Sequence, residues 1–232
     1  MFSSRKALKQ QGTRAKVVSI EVGQLVLEGQ LTLVEAEHQP GLVLCHPHPL
    51  FGGTMDDSRL LAIEQIAFTK GFNTLRFNYR GVGNSDGKFG QGIGEVQDTI
   101  GAVKFLRNHS NTDSTRIALL GYSFGGSMAI AAAMDASPAA LVTISAPLRL
   151  PDLDSNIVTE SIRYVNCPTY ILHGREDQSV HYVEAEAIFA HLQVKEKYLR
   201  LIKGANHFWT HRLDVILPMI FAFLIEKLEV KK

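Results

Sequence analysis

Polar and apolar residues first alternate with a period of two. Residues 15–22 (AKVVSIEV) and 30–35 (QLTLVE) have this alternation and the β-branched content of half-buried strands, and they stand close enough to pair as a hairpin. From residue 41 the pattern changes, and short runs that are apolar throughout begin to alternate with helical periods. In order these are strand GLVLCH, helix SRLLAIEQIAFTKG, strand NTLRFNY, helix GEVQDTIGAVKFLRN, strand RIALLGYS and helix GGSMAIAAAMD. Strand ALVTISA, a short helical piece within SNIVTESIRYV, strand TYILHG, helix YVEAEAIFAHL, strand KYLRLIKG and a last helix RLDVILPMIFAFLIEKL complete the series. Runs without alternation suit strands buried on both faces, so the pattern predicts an α/β fold: an eight-stranded, mostly parallel sheet flanked by helices.

A chain of 232 residues with no internal repeat and no Pro-, Gly- or Ser-rich linker suits one domain. The first sixteen residues carry five Lys or Arg and no acidic residue; residues 1–14 read as a solvated basic arm and 15–232 as a single domain. A formal charge of +1 lacks the basic excess of a nucleic-acid binder, so no nucleic-acid partner is expected. No apolar segment follows the N-terminal charges, and VILPMIFAFLI near the C-terminus is too short to cross a bilayer. The expectation is a cytoplasmic protein with no membrane partner, a monomer or homodimer acting on a small molecule. Cys45 and Cys167 form no metal-type spacing and read as buried thiols.

The candidate chemistry starts at RIALLGYSFGGSMAIAAA, where Gly121, Ser123 and Gly125 make a GxSxG pattern between a buried strand and an Ala-rich helix. A sharp strand-to-helix turn strains the serine backbone and crowds the residues two positions either side, which is why glycine stands there. A serine hydroxyl needs a base, and the base needs an orienting group. Asp177, in GREDQSV after the seventh strand, and His207, in GANHF after the eighth, supply them in the order Ser, Asp, His expected of a doubly wound sheet.

On GYSFGG, GREDQSV, GANHF and the loop NYRGVGNSDG, the chain from residue 40 onward resembles the α/β-hydrolase superfamily. Its HPHPLFGGTM loop is similar to small bacterial members near dienelactone hydrolase and the serine aminopeptidase-like hydrolases. The resemblance implies an α/β-hydrolase fold and a serine hydrolase, carboxylesterase-like, using neither metal nor organic cofactor. Its oxyanion hole draws one backbone N–H from Phe124, after the serine, and one from the loop after the third strand, each donor worth about 3 to 4 kcal/mol. Overlaying HGxxG on HPLFG places the second donor at Leu50, with His48 as the next choice; Pro47 and Pro49 have no N–H to give. Proline in place of the usual glycine raises the question of a cis peptide. Gly52 and Gly53 are expected to let this loop approach the turn at Ser123.

Competing readings are weaker. His46 and His48 stand at strand spacing but lack a third ligand, and the P-loop and GxGxxG patterns are incomplete. His207 and His211 lack the glutamate of a zinc-binding HExxH, and His173 reads as packed at a strand end. Only twenty residues separate the sixth and seventh strands, about one short helix, so no sizeable cap domain is expected. The open site would be walled by Phe51, Tyr122, Leu148, Phe208 and Trp209 and would suit small to medium esters or thioesters. A peptidase or amidase of the same fold is the alternative, as is a binding module without catalysis. Dienelactone-type chemistry ranks lower because serine stands where that chemistry relies on cysteine.

Overall fold

The structure, a computed structural model, describes residues 14–150 and 156–230. The predicted arm lies outside the described residues except for Arg14, which opens β1 (Arg14–Val22). All eight predicted strands are present in a single sheet of order β1-β2-β4-β3-β5-β6-β7-β8. β1 pairs antiparallel with β2 (Leu25–Leu33), and β2 antiparallel with β4 (Asn73–Phe77). The remaining neighbours are parallel: β3 (Gln39–Cys45) with β4 and with β5 (Thr112–Tyr122), then β6 (Ala140–Ile144), β7 (Thr169–Gly174) and β8 (Lys197–Ile202) in sequence.

β2 begins five residues before the predicted start at Gln30. Leu25 pairs with Val22 across a two-residue turn at Gly23 and Gln24, and Gly23 takes a positive φ of 61°. Glu28, Gly29 and Gln30 hide this start in the sequence by interrupting the apolar alternation. The strand also ends early, because the Val34 N–H turns to the Asn73 side chain at 3.0 Å instead of a neighbouring strand.

Helices cover both faces and divide the core in two. α2 (Ile93–Arg107), α3 (Phe124–Ala136), the short α4 (Ile157–Ser161) and α5 (Val183–His191) close one face, where Val43, Leu75, Leu119 and Met128 are fully buried. α1 (Ser58–Thr69) and α6 (Leu213–Lys227) close the other over Leu42, Leu44, Leu120 and Phe221. Successive residues of β3 and β5 thus feed opposite cores, as strands buried on both faces must. Cys45 and Cys167 are free and buried. Between β6 and β7 the described residues hold only α4 and one 3-10 turn, with no large cap. No helix among the described residues is long and apolar enough to cross a membrane.

Candidate active site

β5 delivers Ser123 at its C-terminal end, and the chain turns at once into α3. Ser123 has φ 54° and ψ −124°, a conformation rare for an L-residue. The flanking glycines make the turn possible. A Cβ on Gly121 would lie 2.1 Å from the Gly125 carbonyl oxygen, and a Cβ on Gly125 would lie 2.2 Å from the Cys45 carbonyl oxygen. Gly125 is therefore where α3 is pressed against the end of β3. Gly52 and Gly53 line the cleft with Ser123, and Gly53 also lets its own loop fold tightly, since a Cβ there would lie 2.1 Å from the Pro47 carbonyl oxygen.

Asp177 and His207 come from the ends of β7 and β8 and meet Ser123. The Asp177 Oδ2 is 2.7 Å from His207 Nδ1, and His207 Nε2 is 3.1 Å from Ser123 Oγ. Asp177 Oδ1 accepts the backbone N–H groups of Ser179 and Val180 at 3.0 and 2.8 Å, which fixes the carboxylate rotamer. Burial raises the pKa of this carboxyl, but the His207 hydrogen bond and the Val180 N–H outweigh it and hold it below its ordinary value. A carboxylate at Nδ1 keeps the proton there, leaving Nε2 as the acceptor facing the serine hydroxyl. Tyr122 donates its hydroxyl to the His207 carbonyl at 2.8 Å and holds the histidine loop against β5.

His173 sits beneath this group. Its Nε2 is 2.9 Å from the Val180 carbonyl and 3.5 Å from Asp177 Oδ2, so it braces the loop that carries the carboxylate rather than merely packing at a strand end.

The cleft around Ser123 holds about 410 Å³ and is lined by Pro47, His48, Phe51, Gly52, Gly53, Asp57, Arg59, Tyr122, Ser179, His207 and Phe208. Phe51 and Phe208, 78% and 60% exposed, form an apolar rim. Leu148 and Trp209 do not line it. Leu148 is buried in the α3-side core, and Trp209 is buried on the α6 side with its indole N–H 3.1 Å from Ser145 Oγ. Trp209 has a positive φ of 56°, which turns its ring beneath the histidine loop while its neighbour Phe208 faces outward. Adjacency to His207 in sequence gave no hint of that reversal. Asp57, Arg59 and Ser179 also line the cleft, and no sequence pattern assigns them to it; Asp57 is the N-cap of α1 and Arg59 lies in its first turn.

The loop after β3 also differs from expectation. The Leu50 N–H points to His48 Nδ1 at 3.2 Å, within a 3-10 turn, and the Leu50 side chain is outside the cleft. Leu50 is thus occupied in capping its own turn. His46, not His48, directly follows the last residue of β3, so aligning the usual His-Gly pair on His46-Pro47 brings the donor position to His48. Both X–Pro bonds of the loop are trans.

His46 is a fixed part of the scaffold. Its Nε2 accepts the Tyr79 N–H at 3.1 Å, so Nδ1 carries the proton donated to the Pro47 carbonyl at 2.6 Å. The ring thereby ties the β3 loop to the β4 loop. Burial pushes its pKa down from 6.5 to about 4, although the Pro47 carbonyl and Asp57 favour the protonated form. Between those values the unfolded chain binds a proton that the folded chain refuses, so stability from this residue is complete above pH 6.5 and is lost as pH falls toward 4. Urea unfolding at pH 7, 6 and 5 should show wild type losing more stability than His46→Gln, by less than about 1 kcal/mol from pH 7 to 6 and by about 1 kcal/mol from pH 6 to 5. Equal slopes would show that the ring is not buried neutral.

Comparison with known proteins agrees with this fold. The sequence model of the X-Pro dipeptidyl-peptidase (S15) family matches residues 28–153, more than half of the chain. The chain belongs to that family, within the α/β-hydrolase superfamily. A second model, the C-terminal domain of BAAT and acyl-CoA thioester hydrolases, matches residues 100–207 of this α/β-hydrolase. An uncharacterized protein of Rickettsia prowazekii (strain Madrid E) is 29% identical over 86% of this chain and 84% of its own length. Among solved structures, an α/β serine hydrolase homologue from Coxiella burnetii superimposes with a TM-score of 0.77 at 27% identity, covering 90% of this chain and 97% of its own. A serine hydrolase without a lid from Xanthomonas campestris shares the fold, with a TM-score of 0.75 at 24% identity over 93% and 94% of the two chains.

Proposed function

We propose that this α/β-hydrolase cleaves esters or thioesters of small to medium size through an acyl-enzyme on Ser123. The observation that carries the reading is the unbroken pair of hydrogen bonds from Ser123 Oγ through His207 to Asp177, 3.1 and 2.7 Å long, beside an open cleft. Ser123 Oγ attacks the carbonyl carbon as His207 Nε2 takes its proton. The resulting oxyanion is held by the backbone N–H of Phe124, which as the first residue of α3 has no partner within the helix, and by that of His48. Collapse of the intermediate expels the leaving group with the proton from Nε2, and water repeats the two steps to release the acid. Asp177 stays ionised throughout and stabilises the imidazolium.

The thioester option has support of its own, since the thioester-hydrolase match spans all three residues. The S15 match keeps amides in the screen.

Treatment of the folded protein with a fluorophosphonate, followed by intact-mass analysis, tests the assignment. One adduct on wild type and none on Ser123→Ala is the expected result, and it justifies a screen of matched ester, thioester and amide substrates. Absence of an adduct on folded wild type would favour a binding module on the hydrolase fold and remove the reading.

A further inference from the structure

Among the described residues lining the cleft, Arg59 is the one Lys or Arg. It is the second residue of α1, and Asp57 is the N-cap. The cap carboxylate does two jobs. Its Oδ1 accepts the Arg59 backbone N–H at 3.0 Å and the Nε–H at 2.8 Å, while Oδ2 pairs with Nη2. The Nε/Nη2 edge of the guanidinium is therefore taken. The plane lies over the ring of Tyr122, with Cζ 4.5 Å from the ring centre, and Tyr122 immediately precedes Ser123. The remaining Nη1/Nη2 edge has only a 3.5 Å approach from Nη1 to the Phe208 carbonyl, at the limit of a hydrogen bond. Burial works against the charge of Arg59, and Asp57 more than restores it, so the group stays protonated.

A guanidinium held on one edge by a carboxylate and on one face by an aromatic ring has lost its rotamer freedom before any ligand arrives. Its open fork then meets a second planar carboxylate with two parallel hydrogen bonds at little further entropic cost. The other walls of the cleft combine Pro47, Phe51, Tyr122 and Phe208 with small, hydroxyl and imidazole side chains and the Asp57 carboxylate already paired to Arg59, and none of them presents a planar cationic fork. Because Asp57 cancels most of the long-range field, a multiply charged phosphate gains less here than a monoanion matched to the fork. We infer that Arg59 is a specificity-determining residue that receives a carboxylate carried by the substrate beside its scissile ester. The inference rests on the serine-hydrolase reading above and names a substrate class for the same site.

Two matched substrate pairs test it and separate the acyl side from the leaving-group side. The first pair is the p-nitrophenyl monoester of glutarate against p-nitrophenyl pentanoate. The second is the butyrate ester of 4-hydroxybenzoate against that of 4-hydroxybenzamide. For at least one pair, the ratio of kcat/KM for the carboxylate over the neutral ester should fall by about tenfold or more in Arg59→Gln. Arg59→Lys, which keeps the charge without the fork, should fall between the two. The wild-type ratio should change little between low and moderate salt, since directional hydrogen bonds and not a net field set it.

If Arg59→Gln lowers both members of each pair equally, Arg59 only braces the Tyr122 and His207 loops, and the inference is overturned. Fluorophosphonate labelling of each variant accompanies the kinetics. If wild type takes the label and Arg59→Gln leaves the ratios of both pairs unchanged, the carboxylate site alone is lost. A wild type that neither labels nor turns over any ester loses the hydrolase reading together with it.

Discussion

Asp177→Asn should lower kcat by about 10⁴-fold, approaching the loss expected from Ser123→Ala, while the protein stays folded. The size of the effect follows from the way the carboxylate is held. Oδ1 accepts two backbone N–H groups, from Ser179 and Val180, and an asparagine amide satisfies them only by placing its oxygen there. Its NH₂ then occupies the Oδ2 position and faces His207 Nδ1, which in the native site lies 2.7 Å away. A donor at Nδ1 forces that nitrogen to be the acceptor and moves the ring proton to Nε2. The ring is then unable to take the proton of Ser123 Oγ, although every heavy atom remains close to its native place. Initial rates on a chromogenic ester, with a thermal melt of each variant, measure the effect. A folded Asp177→Asn protein retaining more than about a tenth of wild-type kcat would show that the carboxylate does not set the tautomer.

The same site shows what local sequence conveys and what it withholds. Ser123, Asp177 and His207 were legible because each follows a strand, the first two strands buried on both faces and the third, β8, alternating at the sheet edge, and a parallel sheet gathers the C-terminal ends of its strands along one edge. The central strands were legible because burial on both faces leaves apolar runs without polar alternation, and the outer ones because their polar and apolar residues alternate. The register of the loop after β3 was not legible, since HPHP offers two equivalent His-Pro registers. Only the end of β3 at Cys45 and the tie from His46 to the Tyr79 N–H distinguish them. Arg59 was illegible for a different reason. Nothing in SRLLAIEQ tells that the first turn of α1 lies against Tyr122, sixty-three positions later in the chain. Trp209 was misplaced because one residue of positive φ reverses which of two adjacent aromatics faces the cleft.

Gly125→Ala should be among the most damaging single methyl additions in the molecule. Its Cβ would stand 2.2 Å from the Cys45 carbonyl oxygen and 2.6 Å from that of His46, and neither is a side chain that can rotate away. Relief requires α3 to move off the end of β3. That movement drags Ser123, the Phe124 N–H and the β3 loop apart together, because His46 ties that loop to the chain after β4. Overpacking against rigid backbone costs about 3 kcal/mol or more, which for a chain of this size lowers Tm by about 10 °C. Activity should fall further than stability alone explains, since an oxyanion hole loses its effect when its two donors separate by even about 1 Å. Thermal melts and ester turnover at a temperature where the variant is fully folded separate the two losses. A Gly125→Ala protein with unchanged Tm would mean that the close approach of α3 to β3 is looser than 2.2 Å implies. One with lowered Tm but full activity below the melt would mean that the serine turn and the β3 loop are positioned independently, and the coupling through Gly125 would be wrong.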